Sequence, residues 1–153
     1  MKVLFIASEC TPIAKVGGLG DVIGALPKAL KELDLDVRIM LPKYRVIDLK
    51  KYPFKQINKH IYQGFLLASK VPVYLLENER FFGENDIYFK RSAFVGSFKE
   101  IERFLFFSQA VLKIFPVLNW TPDILHCHDW HTAILPFLAK SQIQNPKSKI
   151  KSI

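Results

Sequence analysis

The chain has 153 residues, room for one domain with a packed core. Half of them are hydrophobic and only 24% are charged, which excludes a disordered chain. The formal charge of +8 gathers in residues 41–60, with six Lys/Arg against one acid, and in the C-terminal tail. No nucleic-acid motif accompanies it, so it reads as a solvated surface that helps attract an anionic small substrate. No apolar run approaches the ~18 residues of a membrane span. The apolar core of the opening "MKVLFIASEC" is about six residues, too short for a signal peptide. Cys10 and Cys127 lie far apart and give no disulfide framework, which fits a reduced, cytoplasmic chain.

In chain order, Val3 to Ala7 reads as a buried strand, followed by a glycine-rich loop and a helix. From Leu19 the apolar residues recur at Ile23, Leu26, Leu30 and Leu33, one helical face. Pro27 falls inside it and predicts a kink or a restart. "DVRIML" (36–41) is a second strand, so the opening makes a βαβ unit with a parallel sheet. "KHIYQGFLLAS" and "VPVYLLEN" read as two strands of a meander, and "RFFGENDIYF" as loop with aromatics packed beneath it. Residues 97–115 form the clearest helix, with Ile101, Phe104, Leu105, Ser108, Val111, Leu112 and Phe115 on one face and a capping box from Ser97 to Glu100. "DILHCH" (123–128) is another strand. "WHTAILPFLAKSQ" is a helix interrupted or bent at Pro136, and "SKIKSI" starts one more strand.

Chemistry concentrates in two places. In "TPIAKVGGLGDVIGALPKAL" a glycine-rich turn precedes a helix, where backbone N–H groups and aligned peptide dipoles favour an anion. Lys15 adds a cation at the rim, and the combination suits a phosphate or diphosphate. Gly18, Gly20 and Gly24 are spaced one residue too long for a dinucleotide fingerprint, and the second strand ends in Met40-Leu41-Pro42 without a ribose-binding acid. The competing reading is a tight turn with Lys15 merely solvated.

The second place is "HCHDWHT", at the end of a predicted strand and on the same rim as the glycine loop. Three readings stand: His126, His128 and His131 ligate a metal; His126 is a core residue while Asp129 caps a helix starting near Trp130; or His128 and Asp129 face a polar cleft and hold sugar hydroxyls. For the metal, no fourth ligand is evident.

"SECTPIAKVGGLGDVIGALPKAL" and "PDILHCHDWHTAILP" together resemble the bacterial glycogen synthases and plant starch synthases, retaining glycosyltransferases that use ADP-glucose. Ser8-Glu9, Pro12, Lys15, Gly17-Gly18-Leu19 and Asp21-Val22 fall in the family's pattern. The resemblance implies an α/β fold: a Rossmann-like parallel sheet in a three-layer sandwich, the incomplete N-terminal domain of a GT-B architecture. Residues 1–153 would be part of the N-terminal starch synthase catalytic domain, roughly the first third of such an enzyme, with the nucleotide-binding C-terminal domain absent. It implies that Lys15 contacts ADP-glucose, that Gly17 and Gly18 approach the phosphates and transferred glucose, and that Asp21, Glu9, His128 and Asp129 line the cleft, the last two as the catalytic pair. No metal or cofactor is implied, and the acceptor is an α-1,4-glucan, glycogen or starch. The alternatives are a non-catalytic module that binds glucan or nucleotide-sugar, and another GT-B transferase with a similar loop.

Overall fold

A computed structural model describes residues 1–88, 94–142 and 150–153, leaving aside the side chains of 94–97 and 142. The elements in order are β1 (Lys2–Ile6), α1 (Gly18–Glu32), β2 (Asp36–Pro42), β3 (Lys55–Asn58), β4 (Ile61–Phe65), β5 (Pro72–Leu76), α2 (Glu79–Phe82), α3 (Phe94–Leu112), α4 (Phe115–Leu118), β6 (Ile124–Cys127), α5 (Leu135–Gln142) and β7 (Lys151–Ser152). They build one sheet in the order β3-β4-β5-β2-β1-β6-β7. The strands β5, β2, β1, β6 and β7 run parallel, and β4 and β3 extend the sheet antiparallel.

Leu4, Phe5 and Ile6 of β1 and Ile39, Met40 and Leu41 of β2 have no exposed surface, as expected of central strands covered on both faces. The connections β1–α1–β2 and β6–α5–β7 step in opposite directions across the sheet. Right-handed crossovers therefore place α1 on one face and α5 on the other, with α3 packed beside α5. Three layers result, the Rossmann-like arrangement anticipated from the sequence.

The helix α1 is continuous through Pro27 and buries Gly20, Ile23, Gly24 and Pro27. Of the anticipated face, Ile23 is buried and Leu19 and Leu30 are half-buried against the core, whereas Leu26 and Leu33 are exposed. The reason is closeness. A Cβ on Gly24 would stand 2.7 Å from the Thr11 carbonyl oxygen, so α1 lies directly on the loop before it through its smallest residues. Proline lacks the N–H that would bond the Ile23 carbonyl one turn back. The buried Cys10 thiol donates to that carbonyl instead, at 3.7 Å.

The helix α3 begins at Phe94, so Ser97 stands within it rather than ahead of it, and the Ser97 side chain lies outside the described residues. Its buried face is Arg103, Phe104, Phe107, Ser108 and Val111, while Ile101 and Leu105 are exposed. Arg103 explains the rotation. An arginine reads as polar in a helical pattern, yet its guanidinium donates to the Ile87 carbonyl at 3.1 Å and sits over the rings of Tyr44, Phe82 and Phe104. Phe115 belongs to α4, which Asn119 closes in a left-handed conformation. Beyond it Trp120 is buried at the opposite end of the sheet from the glycine loop, donating to Asp36 at 2.7 Å beneath the Arg38 guanidinium.

The two-stranded meander appears as β4 and β5, paired antiparallel. The strand β3 beside them was not anticipated: all its residues are exposed, so no apolar alternation marks it. The loop-rich stretch starts with α2 and buries Phe82, and from Phe89 it lies outside the described residues. The start of a last strand at "SKIKSI" is β7, parallel to β6, with Ser148 and Lys149 outside that set.

Candidate functional site

The neighbours of β1 are β2 and β6, so the chain's crossovers diverge there and a crevice opens beyond the C-terminal strand ends. Residues 7–17 follow β1 and residues 128–134 follow β6; both segments reach this rim. The His128 N–H still bonds the Ile6 carbonyl at 3.1 Å.

Glu9 organises the first segment from below. It is buried, and its Oε2 accepts the N–H groups of Val16 and Gly17, both at 2.7 Å. Its Oε1 accepts the Tyr88 hydroxyl at 2.6 Å, and that oxygen also meets Ser8 Oγ at 2.7 Å. Burial raises the Glu9 pKa, but the hydrogen bonds from Gly17, Tyr88 and Val16 outweigh it and hold the carboxyl below its ordinary value. Glu9 therefore sits beneath the glycine loop. The amides it takes are the two nearest Lys15, which leaves those of Gly18 and Leu19 in the first turn of α1, where no side chain caps the helix.

The glycines of this segment divide by what surrounds them. Among the described residues a Cβ on Gly18 would meet nothing within 4 Å, and one on Gly17 only Glu9 Oε1 at 3.9 Å. Neither has a positive φ. The fold thus demands glycine at neither position, in contrast to Gly24.

Lys15 is not idle at the rim. Its Nζ donates to Asp21 Oδ1 at 2.6 Å, and Thr11 Oγ1 donates to the same oxygen at 3.1 Å. The pair is half exposed. The Lys15 hydrogen bond, then that from Thr11, holds the Asp21 carboxyl below its ordinary value. Among the described residues no hydrogen bond reaches Asp21 Oδ2.

On the second segment, His126 Nδ1 and His128 Nε2 contact each other, and both rings stack on Phe5. Burial pushes the His126 pKa down. Burial, then the neighbouring His126, pushes His128 down to about 4. Both imidazoles are therefore neutral near pH 7. His131 points elsewhere: it is buried among Tyr88, Phe104 and Trp130, with Nδ1 3.7 Å from Asp129 Oδ2. Among the described residues no group of three or more His, Cys, Asp and Glu is gathered to hold a metal ion.

Asp129 has a φ of 63° and accepts the Trp130 N–H at 2.6 Å. It caps a turn rather than a helix: residues 129–134 turn, and α5 starts only at Leu135. Pro136 lies in the first turn of α5, where no N–H is required, so it opens the helix instead of bending it. The carboxylate of Asp129 remains exposed at the rim.

Lys15, Gly17, Gly18, Asp21, His128 and Asp129 thus come to one rim of the sheet, with Glu9 beneath it. Sequence reasoning missed Tyr88 and Thr11. Tyr88 ties the two segments together by bonding Glu9 and stacking on His131 at 5.0 Å. No spacing links it to Glu9, 79 residues away.

Comparison with known proteins agrees with this geometry. A model of the starch synthase catalytic domain matches residues 2–153. The glycogen synthase of Anoxybacillus flavithermus is 44% identical over 146 residues, covering 93% of this chain and 30% of that protein. The glycogen synthase of Geobacillus stearothermophilus is 43% identical, covering 95% and 31% respectively. The catalytic domain of starch synthase IV from Arabidopsis thaliana, solved with ADP and acarbose, superposes with a TM-score of 0.82 at 29% identity, over 99% of this chain and 32% of that one. The chain spans about a third of the length of these relatives. With a family match running nearly end to end, on a Rossmann-like sheet of the GT-B type, the chain belongs to the starch synthase catalytic domain family.

Proposed function

We propose that this chain supplies one wall of a glucosyltransferase cleft, the N-terminal part of a glycogen or starch synthase. The reaction moves glucose from ADP-glucose to the 4-hydroxyl at the non-reducing end of an α-1,4-glucan, with retention. The observation that carries this reading is the bare surface at Gly17 and Gly18. None of the described residues requires glycine there, yet the two sit at a helix N-terminus beside Lys15. Room kept open at such a place suits a sugar diphosphate that approaches the backbone.

The roles follow from the geometry. Lys15 offers a mobile cation to the phosphates, and the amides of Gly18 and Leu19 offer hydrogen bonds. Asp21 Oδ2 and the exposed Asp129 carboxylate are acceptors for sugar hydroxyls. Neutral His128 exchanges hydrogen bonds with a hydroxyl without bringing charge. Glu9 acts from beneath by fixing the loop. Lys15 is already paired with Asp21, so most of the charge of departing ADP has to be met by groups outside this chain. Two free thiols, Cys10 and Cys127, suit the cytoplasm. Among the described residues no helix is long and apolar enough to cross a membrane.

The test is a chimera in which residues 1–153 replace the matching segment of the Geobacillus stearothermophilus glycogen synthase. It should transfer labelled glucose from ADP-glucose to glycogen, whereas the chain by itself should not. Lys15→Ala in the chimera should lose activity strongly, since a charge-assisted hydrogen bond to a ligand anion is worth about 1.5–3 kcal/mol. A folded chimera without transfer, or one indifferent to Lys15→Ala, would overturn the reading.

A further inference from the structure

We propose that Gly20 is a positioning residue for Lys15: the space left by its missing side chain is where the Lys15 stem crosses α1, and its size sets where the ammonium stands. This rests on the reading above only for what Lys15 touches.

A Cβ on Gly20 would stand 3.2 Å from Lys15 Cγ, 3.3 Å from Glu9 Oε2 and 3.3 Å from Thr11 Oγ1. Each of these atoms has a second partner at the site. The Lys15 stem leads to Nζ on Asp21, the Thr11 hydroxyl holds the same Asp21 oxygen, and Glu9 Oε2 carries the amides of Val16 and Gly17. Anything added at residue 20 is therefore felt at three points of the loop together.

The helix cannot retreat to make room. The Thr11 N–H bonds the Gly20 carbonyl at 2.9 Å, and one turn on Gly24 meets the Thr11 backbone. With the backbone pinned on both sides, the side chains must yield. A single methyl needs a few tenths of an ångström from each. A branched side chain needs the Lys15 stem to leave its track, and the ion pair with Asp21 breaks. Gly20 thus differs from Gly24, whose close neighbour is backbone, and from Gly18, which has no neighbour at all.

The experiment uses the 153-residue chain and follows the Asp21 carboxyl through its acid titration by carbon-detected NMR. Among the described residues, Glu9, beneath the loop, and Lys28, further along α1, are the other charged groups near it. Lys15→Met marks the midpoint reached when the ammonium is gone. Gly20→Val should raise the Asp21 midpoint to that mark, and Gly20→Ala should fall between it and the wild type. Amide spectra establish that each variant is folded. Should Gly20→Val fail to fold, Gly20→Ala decides alone. A folded variant with the wild-type midpoint overturns the proposal, because the stem then does not depend on this space. In the chimera, the same substitutions should raise KM for ADP-glucose more than they lower kcat. If the midpoint moves and KM does not, the positioning stands, and the assignment of Lys15 to the nucleotide-sugar falls instead.

Discussion

Glu9 uses both its oxygens as acceptors, one for two amides and the other for a phenol. Glutamine can keep its oxygen on the two amides and donate its NH2 to the Tyr88 hydroxyl, so the informative change is Glu9→Ala, which leaves the Val16 and Gly17 amides and the Tyr88 hydroxyl without their acceptor. Losing a partner at a buried site costs about 1–3 kcal/mol, which urea denaturation should show as a lowered midpoint with little change in slope. The carboxyl's folded pKa is below its unfolded value of about 4.5. Its contribution is therefore complete above that pH and fades as pH falls through the folded value.

His128 adds a pH dependence at a higher range. Its pKa drops from 6.5 unfolded to about 4 folded, chiefly through burial and then through His126. Between those values the unfolded chain binds the proton and the folded chain does not. Stability is full above pH 6.5 and declines as pH falls towards 4. Denaturation midpoints measured at pH 7, 5.5 and 4.5 should fall in that order, and His128→Asn should flatten the series. A flat wild-type profile would mean that the ring is solvated and free to protonate.

Among the elements, α1 shows how a proline is accommodated in an unbroken helix. The Ile23 carbonyl loses its helical partner to Pro27 and gains the Cys10 thiol. Burial pushes that thiol up to about 12, so it keeps its proton and stays a donor. The two positions should therefore be coupled. Cys10→Ala removes the sulfur contact to that carbonyl, and should cost less in a Pro27→Ala background, where the helix supplies its own N–H. A double-mutant cycle on denaturation free energies should give a coupling of roughly 0.5–1 kcal/mol. Strict additivity would show that the long sulfur contact contributes nothing.

The elements also show which parts of the fold were legible. Continuous apolar runs betrayed β1 and β2, and the two stretches read as a meander became β4 and β5. An exposed edge such as β3 carries no such signal. The face of α3 was read only in part because Arg103 is buried on carbonyl and aromatic partners, and that of α1 only in part because glycine and proline share its core face with Ile23. At the site, residues close along the chain were readable, among them Lys15, Asp21, His128 and Asp129. Tyr88 and Thr11 were not, because their roles come from a meeting across the fold and from a hydroxyl in a loop, neither of which has a spacing.

At the scale of the molecule, apolar surface is unevenly distributed. Among the described residues a cavity of about 730 Å³ opens between α5 and β7, and Phe137 at its edge is 69% exposed. Ile101, Leu105, Trp130 and Ile134 are exposed as well. Apolar surface of this kind drives association in water. Sedimentation velocity should show the chain self-associating as its concentration rises, and Ile101→Lys with Phe137→Lys should restore a monomer. A monomer at all concentrations would show that the exposed residues are too scattered to act together.

The two tryptophans stand at opposite ends of the sheet. Trp120 is sealed beneath Arg38, its indole nitrogen on Asp36, whereas Trp130 is 51% exposed at the rim. Each is a built-in fluorophore for a different event. In Trp130→Phe the remaining emission should be blue-shifted, resistant to iodide, and changed only when the chain unfolds. In Trp120→Phe it should be red-shifted and readily quenched, and, on the function proposed above, should respond to a nucleotide-sugar at the rim without any loss of fold. One pair of single-tryptophan proteins thus separates occupancy from unfolding optically, with no label attached.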